Sequence, residues 1–268
     1  MEERIWENIQ KLRDTSPLVH NITNYVVMNS SANALLAAGA SPVMAHSEEE
    51  VKDMVAIAGA LVINIGTLSK QWVRAMKMAL LEANRLDRPV VFDPVGAGAT
   101  PYRNDTIREL LQTGTMAIIR ANASEVMAMV SVEHRTKGVD STQRAENALE
   151  SAKVLLDTYG SVISISGETD YIVSRDAVVE VHNGHRFMPN ITGMGCSASA
   201  LTGAFAAVAD DHAEAAVSGM ALMGVAGELA ARSAEGPGTL QMHFYDILHN
   251  LTREDFLDTV RLKVRSNG

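Results

Sequence analysis

Residues 90–100 read VVFDPVGAGAT. An apolar run ends in a carboxylate, and Pro94, Gly96 and Gly98 then force an irregular loop. The run predicts a buried strand over 89–93 with Asp93 at its carboxyl end. Amphipathic stretches on either side predict helices over 69–85 and 104–112. The same alternation continues outward. Strands are expected over 41–45, 61–65, 116–120 and 162–166, and helices over 24–38, 48–59 and 142–159. Short apolar runs between amphipathic segments argue for an α/β fold with a mainly parallel sheet wrapped by helices. Residues 171–174 and 178–182 flank Arg175 and Asp176 and predict an antiparallel hairpin. From Cys196 onward the pattern is mostly helical. The N-terminal MEERIWENIQKLRD is charged from its second residue, unlike a secretory signal. It predicts a short amphipathic helix with Ile5, Ile9 and Leu12 on one side. With neither a Pro/Gly/Ser-rich linker nor a fixed-period repeat, residues 1–268 read as one α/β domain.

Composition narrows the function classes. The 268 residues are 47% hydrophobic and 21% charged, which excludes a disordered chain and allows a sizeable core. Lys and Arg number 23 against 32 Asp and Glu, a net charge of -9. That balance argues against a nucleic acid or an anionic membrane as partner. Backbone amides still bind phosphate without net positive charge. A single cysteine excludes an intrachain disulfide framework and a Cys-rich zinc site, and it fits a reducing compartment. The most membrane-like stretch, 198–209, is too short to span a bilayer and carries Ser199 and Thr202. It reads as a buried helix of small residues.

Ligands of such sheets gather at the carboxyl ends of the strands. Asp93 stands at one, where it either holds a hydrated Mg²⁺ or starts the turn before Pro94. In IIRANASEV (118–126), Asn122 and Glu125 have capping-box spacing, and Glu125 is equally placed as a ligand to metal or water. Arg120, at the end of its predicted strand, is either a phosphate contact or a surface residue. In NITGMGCSASALTGAFAAV (190–208), Gly193 and Gly195 precede a small-residue helix. Converging backbone N–H groups and the helix N-terminus there make a cradle for a phosphoryl group in transfer. The bland alternative is a tight loop into a buried helix. Cys196 falls in the first turn, where the helix lowers and nearby phosphates raise a thiol pKa. In residues 17–47, Asn21, Thr23 and Asn24 follow Leu18 and Val19, with Thr23 or Asn24 as candidate helix cap. With Met44 they suit a small, partly apolar aromatic ligand, or serve as caps and core. His182 and His185 share HNGH but lack a carboxylate partner, so a metal site there is disfavoured. The chain has no G-x-G-x-x-G fingerprint, Walker A sequence or G-x-S-x-G elbow.

PLVHNITNYVVMN, GASPVMAHS, VINIGTL, VVFDPVGAGAT, RANASEV and TGMGCSASA, in this order, resemble the hydroxyethylthiazole kinase family of the ribokinase-like superfamily. The likeness runs from about Pro17 to the C-terminal helices. It implies a ribokinase-like three-layer α/β/α fold. It implies transfer of the γ-phosphoryl of ATP to the hydroxyethyl oxygen of 4-methyl-5-(2-hydroxyethyl)thiazole, in thiamin salvage in the cytoplasm. By the same resemblance Asp93 and Glu125 organise Mg²⁺ and water, and Arg120 and Ser166 contact ATP. Met44 and Gly193 line the thiazole site with Asn24 close by. Gly193, Gly195 and the Cys196 helix form the anion hole. The family pattern also implies a homotrimer with its thiazole sites at subunit interfaces. Many ribokinase-like enzymes carry Asp where Cys196 stands, as the base for the hydroxyl proton, so the resemblance leaves the base open. Two other readings stand beside it: a kinase of another vitamin-like or pyrimidine alcohol, and a catalytically idle binding module.

Overall fold

The computed structural model describes residues 1–134 and 144–266. Among them, nine strands form one sheet. Six are parallel, in the order β2 (Ser41–Val43), β1 (Leu18–Ile22), β3 (Ala60–Asn64), β4 (Val90–Asp93), β5 (Ile118–Asn122) and β6 (Val162–Ser166). Three antiparallel strands extend it: β7 (Asp170–Val173), β8 (Ala177–Val181) and β9 (Leu262–Ser266). The expected β7–β8 hairpin is present, one residue earlier than the pattern placed it.

Alternating side chains send the sheet's two faces into separate cores. Val62 and Val91 join α1 (Glu2–Thr15), α2 (Met28–Ala38), α8 (Met194–Ala206), α9 (His212–Ala231), α10 (Pro237–Asn250) and α11 (Arg253–Thr259). Leu61, Ile63, Val90 and Phe92 face α3 (Val51–Ile57), α4 (Lys70–Arg85), α5 (Pro101–Thr113), α6 (Ala123–His134) and α7 (Arg144–Tyr159). The result is three layers. In α1, Ile5, Ile9 and Leu12 are buried as their spacing predicts, and Trp6 joins them.

The differences from the sequence reading have local causes. The helix expected from 24 begins at Met28, because Asn24 uses its side-chain oxygen to take the Val26 N–H (3.1 Å). Neither Thr23 nor Asn24 therefore caps α2. The helix over 48–59 shrinks to α3. The helix over 104–112 gains a turn, since Thr100 caps the Arg103 N–H and Pro101 fits the first helical position. Residues 142–143 of the last predicted helix lie outside the described residues. Strand β5 runs 118–122 rather than 116–120, in register with β6 out to the Asn122–Ser166 pair. Arg120 thus sits mid-strand, not at a strand end. The strand over 41–45 stops at Val43, because the Ala45 carbonyl accepts from the His20 ring (2.8 Å) instead of a ladder partner. Two strands were not foreseen, β1 and β9.

The predicted small-residue helix is α8, and its tight seat depends on Gly203. A Cβ there would lie 2.4 Å from Val62 Cγ2 in the sheet. The longest apolar helix is α9, not the 198–209 stretch. By length and composition α9 is able to cross a membrane, yet most of it is buried in this fold. It packs against α8 and α10.

Candidate active site

The carboxyl ends of β3, β4 and β5 lie side by side, and the first turn of α8 faces them. Asp93, closing β4, is 1% exposed. Its Oδ2 accepts from Ser199 Oγ at 2.7 Å and from Asn64 Nδ2 at 2.8 Å. Arg120 Nη1 stands 3.9 Å from the same oxygen. Burial pushes the Asp93 carboxyl up to about 6, against the pull of Arg120 and Ser199, and Glu125 adds a like charge.

Arg120 is buried and donates from Nη2 to Ser166 Oγ at 2.6 Å. Its Nε has no partner among the described residues. The guanidinium also faces Asp170, whose carboxyl burial raises to about 6 while the Gly167 N–H (2.9 Å) restrains it. One buried cation therefore acts on two buried carboxyls, an arrangement whose desolvation cost marks a functional site.

Glu125 realises one of its two sequence readings. It forms the capping box, its Oε2 taking the Asn122 N–H (2.9 Å) while Asn122 Oδ1 takes the Glu125 N–H (3.0 Å). Its Oε1 accepts from the Gly96 N–H at 2.8 Å. The carboxylate thus pins the glycine loop after β4 to the start of α6.

Gly193 is the residue that caps α8, at φ 85°. A side chain there would suffer both the left-handed backbone and Val27 Cγ1, 2.6 Å from the Cβ position. Gly195 lies inside the first turn rather than before it, and Cys196 falls in that turn as its position predicts. Amides at this end of a helix have no helical acceptor and carry partial positive charge. Arg120 Nη1 adds its charge there, 3.0 Å from where a Gly195 Cβ would be. Cys196 is half-buried. Burial, and then Asp93, push its thiol up to about 11, although the Asn64 and Asn24 amides face the sulfur. The thiol is protonated at neutral pH.

These groups open into one cleft of about 1120 Å³, lined by Asp93, Arg120, Glu125, Ser166, Asp170, Gly193, Gly195 and Cys196. That volume is ample for a nucleotide-sized ligand. The far wall brings His182, Asn183, Met220 and Met223. His182 does have a carboxylate partner: Glu180 Oε2 lies 2.9 Å from its Nε2, and Thr169 engages Nδ1. Both ring nitrogens are engaged within the protein. Asn24 and Met44 do not line this cleft. Asn24 stands behind it, its Nδ2 3.5 Å from Cys196 Sγ. Met44 follows β2, where its carbonyl faces the His46 ring. Among the described residues no three His, Cys, Asp or Glu side chains cluster as a metal cage. Mg²⁺ needs none, since it keeps waters and shares substrate phosphates with one or two carboxylates. The like charges of Asp93 and Glu125 on one cleft fit such a hydrated ion.

The hydroxyethylthiazole kinase family model matches residues 9–254. The chain belongs to the hydroxyethylthiazole kinase family. It is 56% identical over 261 residues to the hydroxyethylthiazole kinase of Syntrophus aciditrophicus (strain SB), covering 97% of each chain. It is 49% identical to that of Vibrio parahaemolyticus serotype O3:K6, covering 98% of this chain and 99% of the relative. The solved hydroxyethylthiazole kinase protein of Pyrococcus horikoshii OT3 superposes with a TM-score of 0.91 at 38% identity, over 98% of this chain and 99% of that one. A pyridoxal kinase from Staphylococcus aureus shares the fold, with a TM-score of 0.67 at 15% identity over 93% and 98%. The three-layer architecture is thus the ribokinase-like one.

Three site residues were not singled out as ligands or catalysts: Asn64, Ser199 and Asp170. Asn64 carries the signal that marked Asp93, a polar residue closing an apolar run. Ser199 stands out in the sequence only as a polar position in a helix of small residues, and nothing in the local sequence around Asp170 announces its burial.

Proposed function

We propose that this cleft moves the γ-phosphoryl of ATP to the hydroxyethyl oxygen of 4-methyl-5-(2-hydroxyethyl)thiazole, giving the thiazole phosphate and ADP. Family membership over nearly the whole chain gives a kinase of a thiazole alcohol in thiamin biosynthesis. The observation that carries the mechanism is the meeting of the α8 N-terminus, Arg120 and two carboxylates in one cleft.

Phosphoryl transfer has a loose transition state, so positioning and charge stabilisation supply most of the acceleration. The free amides at Gly193, Gly195 and Cys196 face the charge that develops on the phosphoryl oxygens. Arg120, braced by Ser166, adds a full positive charge and contacts the nucleotide phosphates. Asp93 and Glu125 would hold Mg²⁺ through water, and the ion would neutralise phosphate charge when bound. Glu125 also fixes the loop that the phosphates pass. Cys196 lines the acceptor end as a neutral thiol. It shapes that end of the site rather than serving as a strong base.

We further propose that the acceptor site is completed between chains of a homotrimer in the cytoplasm. Met44 lies outside the single-chain cleft. Beside Asn24, the apolar Tyr25 and Val26 are 67% and 62% exposed. Those positions suit a subunit interface that closes over the thiazole ring, Met44 and Gly193 included.

The test is ADP release from Mg-ATP with the thiazole alcohol and with a panel of pyrimidine and sugar alcohols. Thiazole-dependent release is expected. Release with another alcohol alone would keep the mechanism and discard the substrate. Silence from folded protein across the panel would leave a binding module.

A further inference from the structure

Asn64 closes β3 and is 1% exposed. The phosphoryl-transfer reading gives it no part. Its amide has one orientation. The Gly66 N–H donates to Oδ1 at 2.9 Å, so Nδ2 faces Asp93 Oδ2 at 2.8 Å and donates. Asn24 is oriented the same way. The Val26 N–H donates to its Oδ1, leaving Nδ2 to donate to Asn64 Oδ1 at 2.9 Å and to face Cys196 Sγ at 3.5 Å. The donors therefore point in one direction, from the loop after β1, through Asn64, to the carboxylate at the end of β4. Two backbone N–H groups fix that direction, so neither amide flips without breaking a bond. Both side-chain links are buried, where a hydrogen bond is strong and an unmade one costly.

We propose that Asn64 is a positioning residue for phosphoryl transfer, the crosspiece that sets the acceptor side (Asn24 and Cys196) at a fixed separation from the phosphoryl side (Asp93). The role rests on the kinase reading above and adds a determinant of how tightly ATP cleavage is tied to alcohol phosphorylation. The acceptor oxygen must meet the phosphorus in line, and a displacement of about 1 Å costs about a hundredfold in rate. Water must also attack in line, but it is small and mobile and reaches that position without being held by the crosspiece. When the crosspiece fails, water competes better: its oxygen bonds to the γ-phosphorus as the bond to the ADP oxygen breaks, giving inorganic phosphate, ADP and a proton.

Two variants of the full chain test this. Asn64→Ala removes the crosspiece. Asn64→Asp keeps the volume and the acceptor for Gly66 and Asn24, but sets a second carboxylate against Asp93, where two like charges repel. For each, ADP, inorganic phosphate and thiazole phosphate are counted in the same reaction, with KM measured separately for Mg-ATP and for the alcohol. The expected result is a kcat for alcohol phosphorylation lowered by about tenfold to a hundredfold. KM for Mg-ATP stays within about threefold, and more than one ADP forms per thiazole phosphate. A residue that merely supports the fold would lower the active fraction and leave the ADP-to-ester ratio at its wild-type value. That result, wild-type turnover in both variants, or failure of both to fold would each overturn the proposal. A wild-type chain without thiazole-dependent ADP release would overturn the kinase reading first, and this role with it.

Discussion

Cys196 shows how much a residue's chemistry depends on what surrounds it. From sequence, the helix N-terminus and nearby phosphates pulled its thiol in opposite directions. In the fold, burial and Asp93 hold it at about 11. Since the thiolate is the reactive species, alkylation by iodoacetamide is expected to be about three orders of magnitude slower at pH 7.5 than the thiolate limit. It should rise about tenfold per pH unit up to pH 10. A rate that levels off below pH 9 contradicts the assigned environment. Cys196→Ala should keep kcat within about tenfold, whereas Asp93→Asn and Glu125→Gln should each lose about a hundredfold or more. Steady-state rates of the three variants decide this, and near-total loss in Cys196→Ala alone would restore the thiol as an essential group.

Asp170 gives a second prediction at this scale, with its sign set by linkage. Its folded-state value, about 6, lies above the unfolded value of about 4. Below about pH 4 both states hold the proton and burial costs nothing. As pH rises to about 6 the folded state loses its advantage, and above that the cost is constant. Asp170→Asn keeps an acceptor for the Gly167 N–H and removes the buried charge. Its melting temperature is expected to exceed wild type by about 2–6 °C at pH 7.5, with the gap closing near pH 4. Thermal scans at the two pH values check it. No gap at pH 7.5 would mean that Arg120 fully offsets the desolvation of Asp170.

At the level of elements, legibility followed hydrophobic pattern. The strands β3 and β4 are apolar up to their last residue and β6 alternates apolar residues with Ser, and all three stood out. β1, LVHNI, did not, because His20 and Asn21 break its run. Both are buried: Asn21 donates to the Val19 carbonyl of its own strand, while the Ala45 carbonyl that meets His20 comes from 25 residues away. β9 alternates charged and apolar residues on a sheet edge, where Lys and Arg are favoured but carry no core signal. The β5 shift had a similar origin: an Arg looked like the end of a strand, while β6 and Asp93 give it reason to lie within one. Of the candidate site, glycines and strand-end carboxylates were readable. The polar groups that orient them were not, since Asn64 and Ser199 acquire their roles by meeting Asp93 across the chain. The α8 contact yields a prediction of its own. Gly203→Ala puts a methyl 2.4 Å from Val62 Cγ2 and should cost about 1–3 kcal/mol in urea unfolding. Unchanged stability would mean that α8 lifts from the sheet freely.

For the whole molecule, the cleft of one chain accounts for the phosphoryl side better than for the acceptor side. Sedimentation velocity is expected to show three chains associated. Tyr25→Asp should shift the population to single chains and raise KM for the alcohol about tenfold or more, with KM for Mg-ATP little changed. A wild-type chain that sediments alone while phosphorylating the alcohol at full rate would place the entire acceptor site within one subunit.

The sheet also dictates an order of events during synthesis. β8 is complete at Val181, yet its outer edge pairs only with β9, from Leu262 onward. The ribosome must deliver residues 182–261 in between, including the helices α8 to α11 that cover one face. Through that interval the β8 edge has exposed backbone donors and acceptors, a template for strands of other chains. Buried Glu180 likewise waits for Arg265, its ion-pair partner on β9. Nascent chains stalled before residue 262 therefore present a strand edge open to pairing with other chains.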